Sequence, residues 1–393
     1  AFISSRTSHA SRMPKKTPAI VELRPFVKKR ISKPTIDCAR KGFKPETFTV
    51  QPIDAEGKLA PFTVRRHLLK EPTWQRHVGG IVEATPAVWG RRVAVAGRDG
   101  RWFLLDAQTG RVVDSNRIQT LDGIAAGMVS DGKNFYVAAL EGQLYAYSGE
   151  TGKFLYKIAD FPGKLHATPA AAGGVIYVVD YRGNVRAYRA GARRPLWEVS
   201  TAPGVRAAPL VPREHLIVVS LSGDVSVIRR QDGKLAAPRF RLKGTFTLPP
   251  TAAGADLLFA SDEGWLYAVE KLTGKERWRS QVGQTIRSQP IVRGGAVFLS
   301  PTPGQLLVVD TSTGDEIYRF AEGGGAHAVV VGKVHIYFAH GRDLTAYART
   351  ADGYGLVWTF RAKARILAGP IHQGSAVFIG DEKGNVYRVD LDR

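Results

Sequence analysis

From residue 73 to the end, short apolar runs alternate with turns rich in Gly, Asp, Asn and Pro. Runs such as Val175-Ile-Tyr-Val-Val179 and Ala296-Val-Phe-Leu-Ser300 are β-branched and aromatic, and too short for helices. Small-residue pairs (Gly173-Gly174, Gly294-Gly295) precede them, and Asp-Gly or Glu-Gly steps follow comparable runs at 99–100, 141–142 and 263–264. No 3.6-residue period competes, so the pattern predicts many short strands joined by tight turns.

The runs recur as a unit. Gly100, Gly142, Gly183, Gly223, Gly264, Gly304, Gly341 and Gly384 each precede a strand of the type Leu-Tyr-Ala-Tyr, and stand about 40 residues apart. Thr-Gly at 109–110, 151–152, 273–274 and 313–314 turns that strand into a fourth, which often carries an aromatic: Trp197, Trp278, Tyr318, Trp358. A Pro-containing segment, such as Thr168-Pro169 or Gln289-Pro290, opens each unit. Four strands of about five residues plus short turns account for the repeat length. Eight radially repeated four-stranded sheets predict an all-β, eight-bladed β-propeller. The last copy stops after its third strand, whereas Pro72-Thr-Trp74-Gln-Arg-His-Val78 resembles an orphan fourth strand. Residues 73–78, centred on Trp74, are expected to close the last blade so that no sheet edge stays open.

Charge changes the picture at the N-terminus. Residues 1–45 hold 12 Lys/Arg against Glu22 and Asp37, part of a formal net charge of +21 for the 393 residues. Prolines at 14, 18, 25, 34, 45, 52, 61 and 72 interrupt any helix or central strand. Residues 1–72 therefore read as an extended basic arm, and 73–393 as the propeller. Residues 1–21 lack acids and faintly resemble an organellar transit segment; no apolar secretory leader is visible, and the start at Ala1 agrees with processing. One cysteine, Cys38, excludes an intrachain disulfide framework, and no apolar run approaches a membrane span.

The strands of the form Leu-Tyr-Ala-Val-Glu-Lys-Leu-Thr-Gly-Lys-Glu-Arg-Trp278, preceded by Pro-Ile-Val-Arg-Gly-Gly-Ala-Val-Phe, resemble pyrroloquinoline-quinone-type propeller repeats. Length and blade count are most similar to the non-catalytic BamB-like proteins of Gram-negative outer-membrane assembly. That resemblance implies a scaffold with protein partners, in the periplasm or on the inner face of the outer membrane; the arm keeps an organellar matrix open as the alternative. The quinoprotein dehydrogenases of this fold class resemble one another in a tryptophan floor, a calcium ion, a catalytic Asp and adjacent cysteines. A cysteine pair is impossible here, and Asp106, Asp310 and Asp390 read as turn residues. No catalytic residue, cofactor site or metal site is assigned: the histidines lack HExxH or Cys/His spacing, and Gly323-Gly-Gly325 lacks the Gly-Lys-Ser/Thr of a phosphate loop.

Two surfaces carry the functional expectation. Counting three residues back from each unit's opening proline, or the equivalent position where there is none, gives Glu83, Ile124, His166, Arg206, Thr247, Arg287, His327 and Leu367, a ring expected at one axial mouth. His166, Arg206, Arg287 and His327 would make that mouth positive and suited to acidic groups on a partner. The arm offers Lys15, Lys16, Lys28, Lys29, Arg30, Arg40 and Lys41 between prolines, and would order on an anionic partner, RNA or acidic lipid. The alternative function is thus an accessory ribonucleoprotein subunit binding RNA through the arm.

Overall fold

The computed structural model describes residues 35–38, 46–49 and 69–391, apart from 83–84, 98, 119–122, 125–126, 303–305, 321–327, 333–334 and 351–352. Eight antiparallel sheets follow one another along the chain and form an eight-bladed β-propeller. Blade 1 runs from Ala87–Trp89 at the axis, through Arg92–Ala96 and Arg101–Asp106, to Val112–Arg117 at the rim. Blades 2, 3, 5 and 6 repeat this order, ending on Phe154–Asp160, Trp197–Ser200, Glu276–Gln281 and Glu316–Arg319. Second strands bury nearly every residue, as in His215–Val219 and Asp256–Ala260, because both faces of a blade pack on neighbouring blades.

Blade 4 is the irregular copy. Its innermost strand shrinks to a bridge between Leu210 and Ile217, and its outer strand to Phe240–Arg241 plus a bridge from Leu235 to Ile228. Pro209, Pro212 and Pro238 lie in those two segments and supply no N–H to a ladder.

The core lies between blades. Trp102 and Leu104 of blade 1 pack on Phe135 and Tyr147 of blade 2, with Trp102 and Tyr147 edge to face at 4.7 Å. Burying side chains of this size contributes roughly 1.5–3 kcal/mol each.

Closure is made by the chain's early segment. Trp74–His77 pairs antiparallel with Asn385–Arg388 and is the outermost strand of blade 8, whose other strands are Ile366–Gln373, Ala376–Asp381 and Asn385–Asp390. Just before it, Leu69–Lys70 pairs in parallel with Thr359 and Phe360, giving blade 7 a fifth strand outside Gly353–Arg361. The propeller sheet thus begins at Leu69, ahead of the 72/73 boundary read from the sequence. Lys70 is only 3% exposed and holds its ammonium 5.0 Å from the Trp358 ring centroid. Farther upstream, Thr35–Cys38 pairs antiparallel with Glu46–Thr49.

Candidate functional site: the cationic mouth of blades 3 and 4

At one end of the ring, two kinds of loop meet: the turn between second and third strands, and the loop that enters an innermost strand. Their backbones are laced together by one repeated bond. Tyr181 N–H donates to Lys164 C=O at 2.8 Å, Leu221 to Gly204 at 2.9 Å, Asp262 to Thr245 at 2.8 Å and Glu382 to Arg365 at 2.9 Å. A return bond reaches the next blade: Gly204 N–H donates to Tyr181 C=O at 2.7 Å, and Phe246 N–H to Leu221 C=O at 3.1 Å. The buried residue opening each turn braces it. Asp180 accepts from Asn184 N–H at 2.8 Å, and Asp381 from the Asn385 N–H at 2.9 Å and the Tyr387 hydroxyl at 2.8 Å.

This lacing brings His166 and Arg206 close to one aromatic ring, that of Tyr181. The His166 and Tyr181 ring centroids are 5.3 Å apart at 67°, and the Arg206 guanidinium lies 5.8 Å from the Tyr181 centroid. Arg206, Arg182 and Lys164 are exposed, whereas His166 is half-buried. Burial, then the charges of Arg206 and Lys164, hold the His166 imidazole below its ordinary pKa of 6.5. The histidine is therefore neutral at pH 7, and the fixed positive charge comes from Arg and Lys. Such a patch can engage carboxylates and other anions; it holds no nucleophile–base pair.

The other ring positions fall differently. Arg287 is exposed two blades on, beside a separate two-stranded antiparallel pairing of Thr285–Ile286 with Pro301–Thr302. Thr247 donates its hydroxyl to Asp262 at 2.6 Å, and Ile124 is 2% exposed and packs with Met128, so the ring is not polar throughout. Glu83 and His327 lie outside the described residues, as do Lys15, Lys16, Lys28, Lys29, Arg30, Arg40 and Lys41. Tyr181 and Lys164 were missed in the sequence. The available signal was the repeat itself, because Tyr181 follows the turn-opening Asp180 as Leu221 follows Ser220.

Asp106, Asp310 and Asp390 are the last residues of their strands; the first two brace the turns that follow, whereas Asp390 pairs within its own strand. Asp106 accepts from the Gln108 and Thr109 amides at 3.1 and 2.9 Å, and Asp310 from those of Ser312 and Thr313 at 2.7 and 3.2 Å. Burial pushes the Asp106 carboxyl up, but the Thr109 and Gln108 hydrogen bonds and Arg91 outweigh it and leave its pKa lowered. Asp390 pairs with Arg388 at 2.7 Å. Among the described residues, no three His, Cys, Asp or Glu side chains cluster closely enough for a metal ion, and no helix is long and apolar enough to cross a membrane. An axial cavity of about 510 Å³ is lined by innermost-strand residues including Pro86, Met128, Ser130, Thr168 and Ile371.

A propeller built of these repeats defines the class, that of pyrroloquinoline-quinone-like repeat proteins. The chain belongs to the family described as outer membrane protein assembly factor BamB, whose model matches residues 113–241 and 239–336, more than half of its length. It is similar to the outer membrane protein assembly factor BamB of Burkholderia pseudomallei, with 26% identity over 361 residues, 86% of this chain and 82% of that one. The BamB of Moranella endobia is 23% identical over 248 residues, 59% of this chain, and the match spans 63% of the relative's length. In fold it is similar to the crystal structure of BamB from Moraxella catarrhalis, with TM-score 0.66 and 16% identity, covering 81% of this chain and 100% of that one.

Proposed function

We propose that this chain is a non-enzymatic platform in outer-membrane protein assembly, working in the periplasm or on the inner face of the outer membrane. In this reading, the mouth formed by His166, Tyr181, Arg206 and Arg287 receives acidic side chains of a protein partner. The family relationship supports the assembly role. The observation that carries the site is the Tyr181 ring with His166 at 5.3 Å and the exposed Arg206 at 5.8 Å from its centre. Tyrosine and arginine are the residue types that dominate the energy of protein interfaces, and here backbone lacing holds both in place before any partner arrives.

The test is complementation in a bacterial host lacking its own BamB, read as the amount of folded β-barrel protein in the outer membrane. The unaltered chain restores that amount. Arg206→Ala with Arg287→Ala abolishes the rescue without lowering the melting temperature, since both side chains are exposed. Full rescue by the double variant would discard the mouth as the partner site.

A further inference from the structure

A second surface lies at the opposite end of the third strands, where the chain turns into the outer strand of each blade. Large apolar side chains are exposed there on five consecutive blades: Val112 (38%), Phe154 (52%), Leu196 (50%), Leu235 (40%) and Leu272 (45%), with Leu155 (42%) beside Phe154. A basic residue stands next to each on the chain or within three positions: Arg111, Lys153, Arg194, Lys234 and Lys275, all exposed. Of the nearby acids, Asp232 is engaged by Arg229 at 2.7 Å and Glu276 by Arg279 at 3.7 Å, while Glu150 is exposed in the blade 2 turn beside Lys153. On blade 6 the exposed apolar residue is Ile317, but its neighbours are Asp315 and Glu316, so the basic run ends there.

We propose that this rim, from blade 1 to blade 5, is a peripheral contact for an anionic lipid bilayer. Equivalent turns of successive blades are related by rotation about the ring axis and stand at one level. A flat surface therefore meets all five together, whereas a globular partner would have to be flat across more than half the ring. Interleaved aliphatic and cationic side chains suit the boundary between headgroups and acyl chains: the apolar tips enter it and the Lys and Arg heads stay among the phosphates. Nucleic acid would use the cations but give Val112, Leu196 and Leu235 nothing to stack on. Neither the chain's own residues 1–45, with 12 basic and 2 acidic residues, nor a second copy at net +21 complements the charge of the rim. The surface is separate from the mouth and does not depend on the function proposed for it.

The experiment uses the full chain and two sets of vesicles, phosphatidylcholine alone and phosphatidylcholine with about one third phosphatidylglycerol. Lys15, Lys16, Lys28, Lys29 and Arg30 are replaced by Gln throughout, so that the arm does not dominate binding. In this background the protein partitions onto the anionic vesicles and not onto the neutral ones. Phe154→Ser with Leu196→Ser lowers partitioning by at least about tenfold, because side chains that would enter the boundary are lost. Phe154→Cys carrying an environment-sensitive thiol-linked fluorophore, in a Cys38→Ser background, shifts its emission to the blue on anionic vesicles and is quenched by lipids brominated in the acyl chain. Equal partitioning of the serine variant, or a label at position 154 that stays unquenched, overturns the proposal. So does displacement by soluble polyglutamate without quenching, which would assign the rim to an acidic protein.

Discussion

The Trp74 indole N–H donates to the Ala107 carbonyl at 3.1 Å, reaching from the outermost strand of the last blade to a turn of the first. The same bond, again across 33 positions, joins Trp197 to Arg230 at 2.9 Å and Trp278 to Thr311 at 3.1 Å. The closing strand thus reproduces, across the seam of the ring, the staple that holds other neighbouring blades. The Trp74 ring also lies over Gly110, where an added Cβ would meet its Cδ2 at 2.6 Å; at Gly233 the corresponding contact is Trp197 Cε3 at 2.7 Å.

Seam stability therefore depends on Trp74. Trp74→Ala should cost about 2–4 kcal/mol, the range for removing a large, partly buried aromatic. Trp74→Phe keeps much of the packing and should lose only the hydrogen bond, about 0.5–1.5 kcal/mol. Denaturant melts measure both. Deleting residues 1–70 should leave a folded ring, while deleting 1–80 strips blade 8 of its outer strand and lowers the melting temperature sharply. Equal melting temperatures for the two truncations would refute seam closure by this strand.

The staple also constrains the turn glycine. Gly233 and Gly254 both have left-handed backbones, at φ of 73° and 65°, but a Cβ at Gly254 meets nothing within 4 Å. Gly254→Ala should cost about 1 kcal/mol, from the backbone alone. Gly233→Ala adds displacement of the Trp197 ring, a further penalty of about 1–3 kcal/mol. Matching melting curves for the two variants would show that the ring yields freely.

These relationships explain what could be read in the sequence. Blade number and strand order were legible because each repeat carries its own turn glycines and apolar alternation. Trp74 stood out as the aromatic of a fourth strand lacking the three before it. The parallel pairing of Leu69–Lys70 was not legible, because a two-residue strand has no period and its partner lies nearly 290 residues away. At the mouth, repeat counting located His166 and Arg206 but treated Ile124 as their equal. Position in a repeat fixes where the backbone passes; the side chain then follows local chemistry, and Ile124 turns into the core.

The mouth should make stability respond to mild acid. The folded pKa of His166 lies below its ordinary 6.5, so between the two values the unfolded chain binds more protons and stability rises with pH. The contribution is complete above 6.5 and is lost as pH falls through that window. His215 acts in the same direction, lowered by burial and then Lys271 against an opposing Glu214. Melting temperature should therefore fall from pH 7.5 to about 5.5, above the range where ordinary carboxylates titrate. His166→Gln should flatten part of that slope, and His215→Gln much of the remainder. An unchanged slope in the first variant would remove His166 from the account.

Absence of quinone chemistry is equally testable. The aspartates at 106 and 310 are committed to turn amides, leaving their carboxylates poorly placed as catalytic bases. Purified protein incubated with pyrroloquinoline quinone and calcium should take up no stoichiometric cofactor, and should reduce no artificial acceptor with alcohols or sugars. Uptake with turnover would replace the scaffold reading by an enzymatic one.

The remaining question, whether the partner is a protein held at the mouth or RNA held along the arm, separates by salt dependence. Lys15, Lys16, Lys28, Lys29 and Arg30 belong to a segment with 12 basic residues in 45. If those residues thread along phosphates, each contact releases condensed counterions. The logarithm of affinity then falls linearly with the logarithm of salt, and each neutralised contact reduces the slope by about 0.7–0.9. A protein held at the mouth behaves differently. Contacts of a partner with Arg206 and Tyr181 would be few and partly desolvated, and charges screened over a Debye length of about 8–10 Å would give only a shallow dependence. The expected outcome is the shallow one: Arg206→Ala with Arg287→Ala weakens the complex at every ionic strength, while neutralising the five arm residues changes mainly the association rate. Titrations from about 50 to 500 mM salt distinguish the cases. A steep slope that vanishes when residues 1–45 are deleted, with both mouth variants silent, would make this chain an RNA-binding subunit instead.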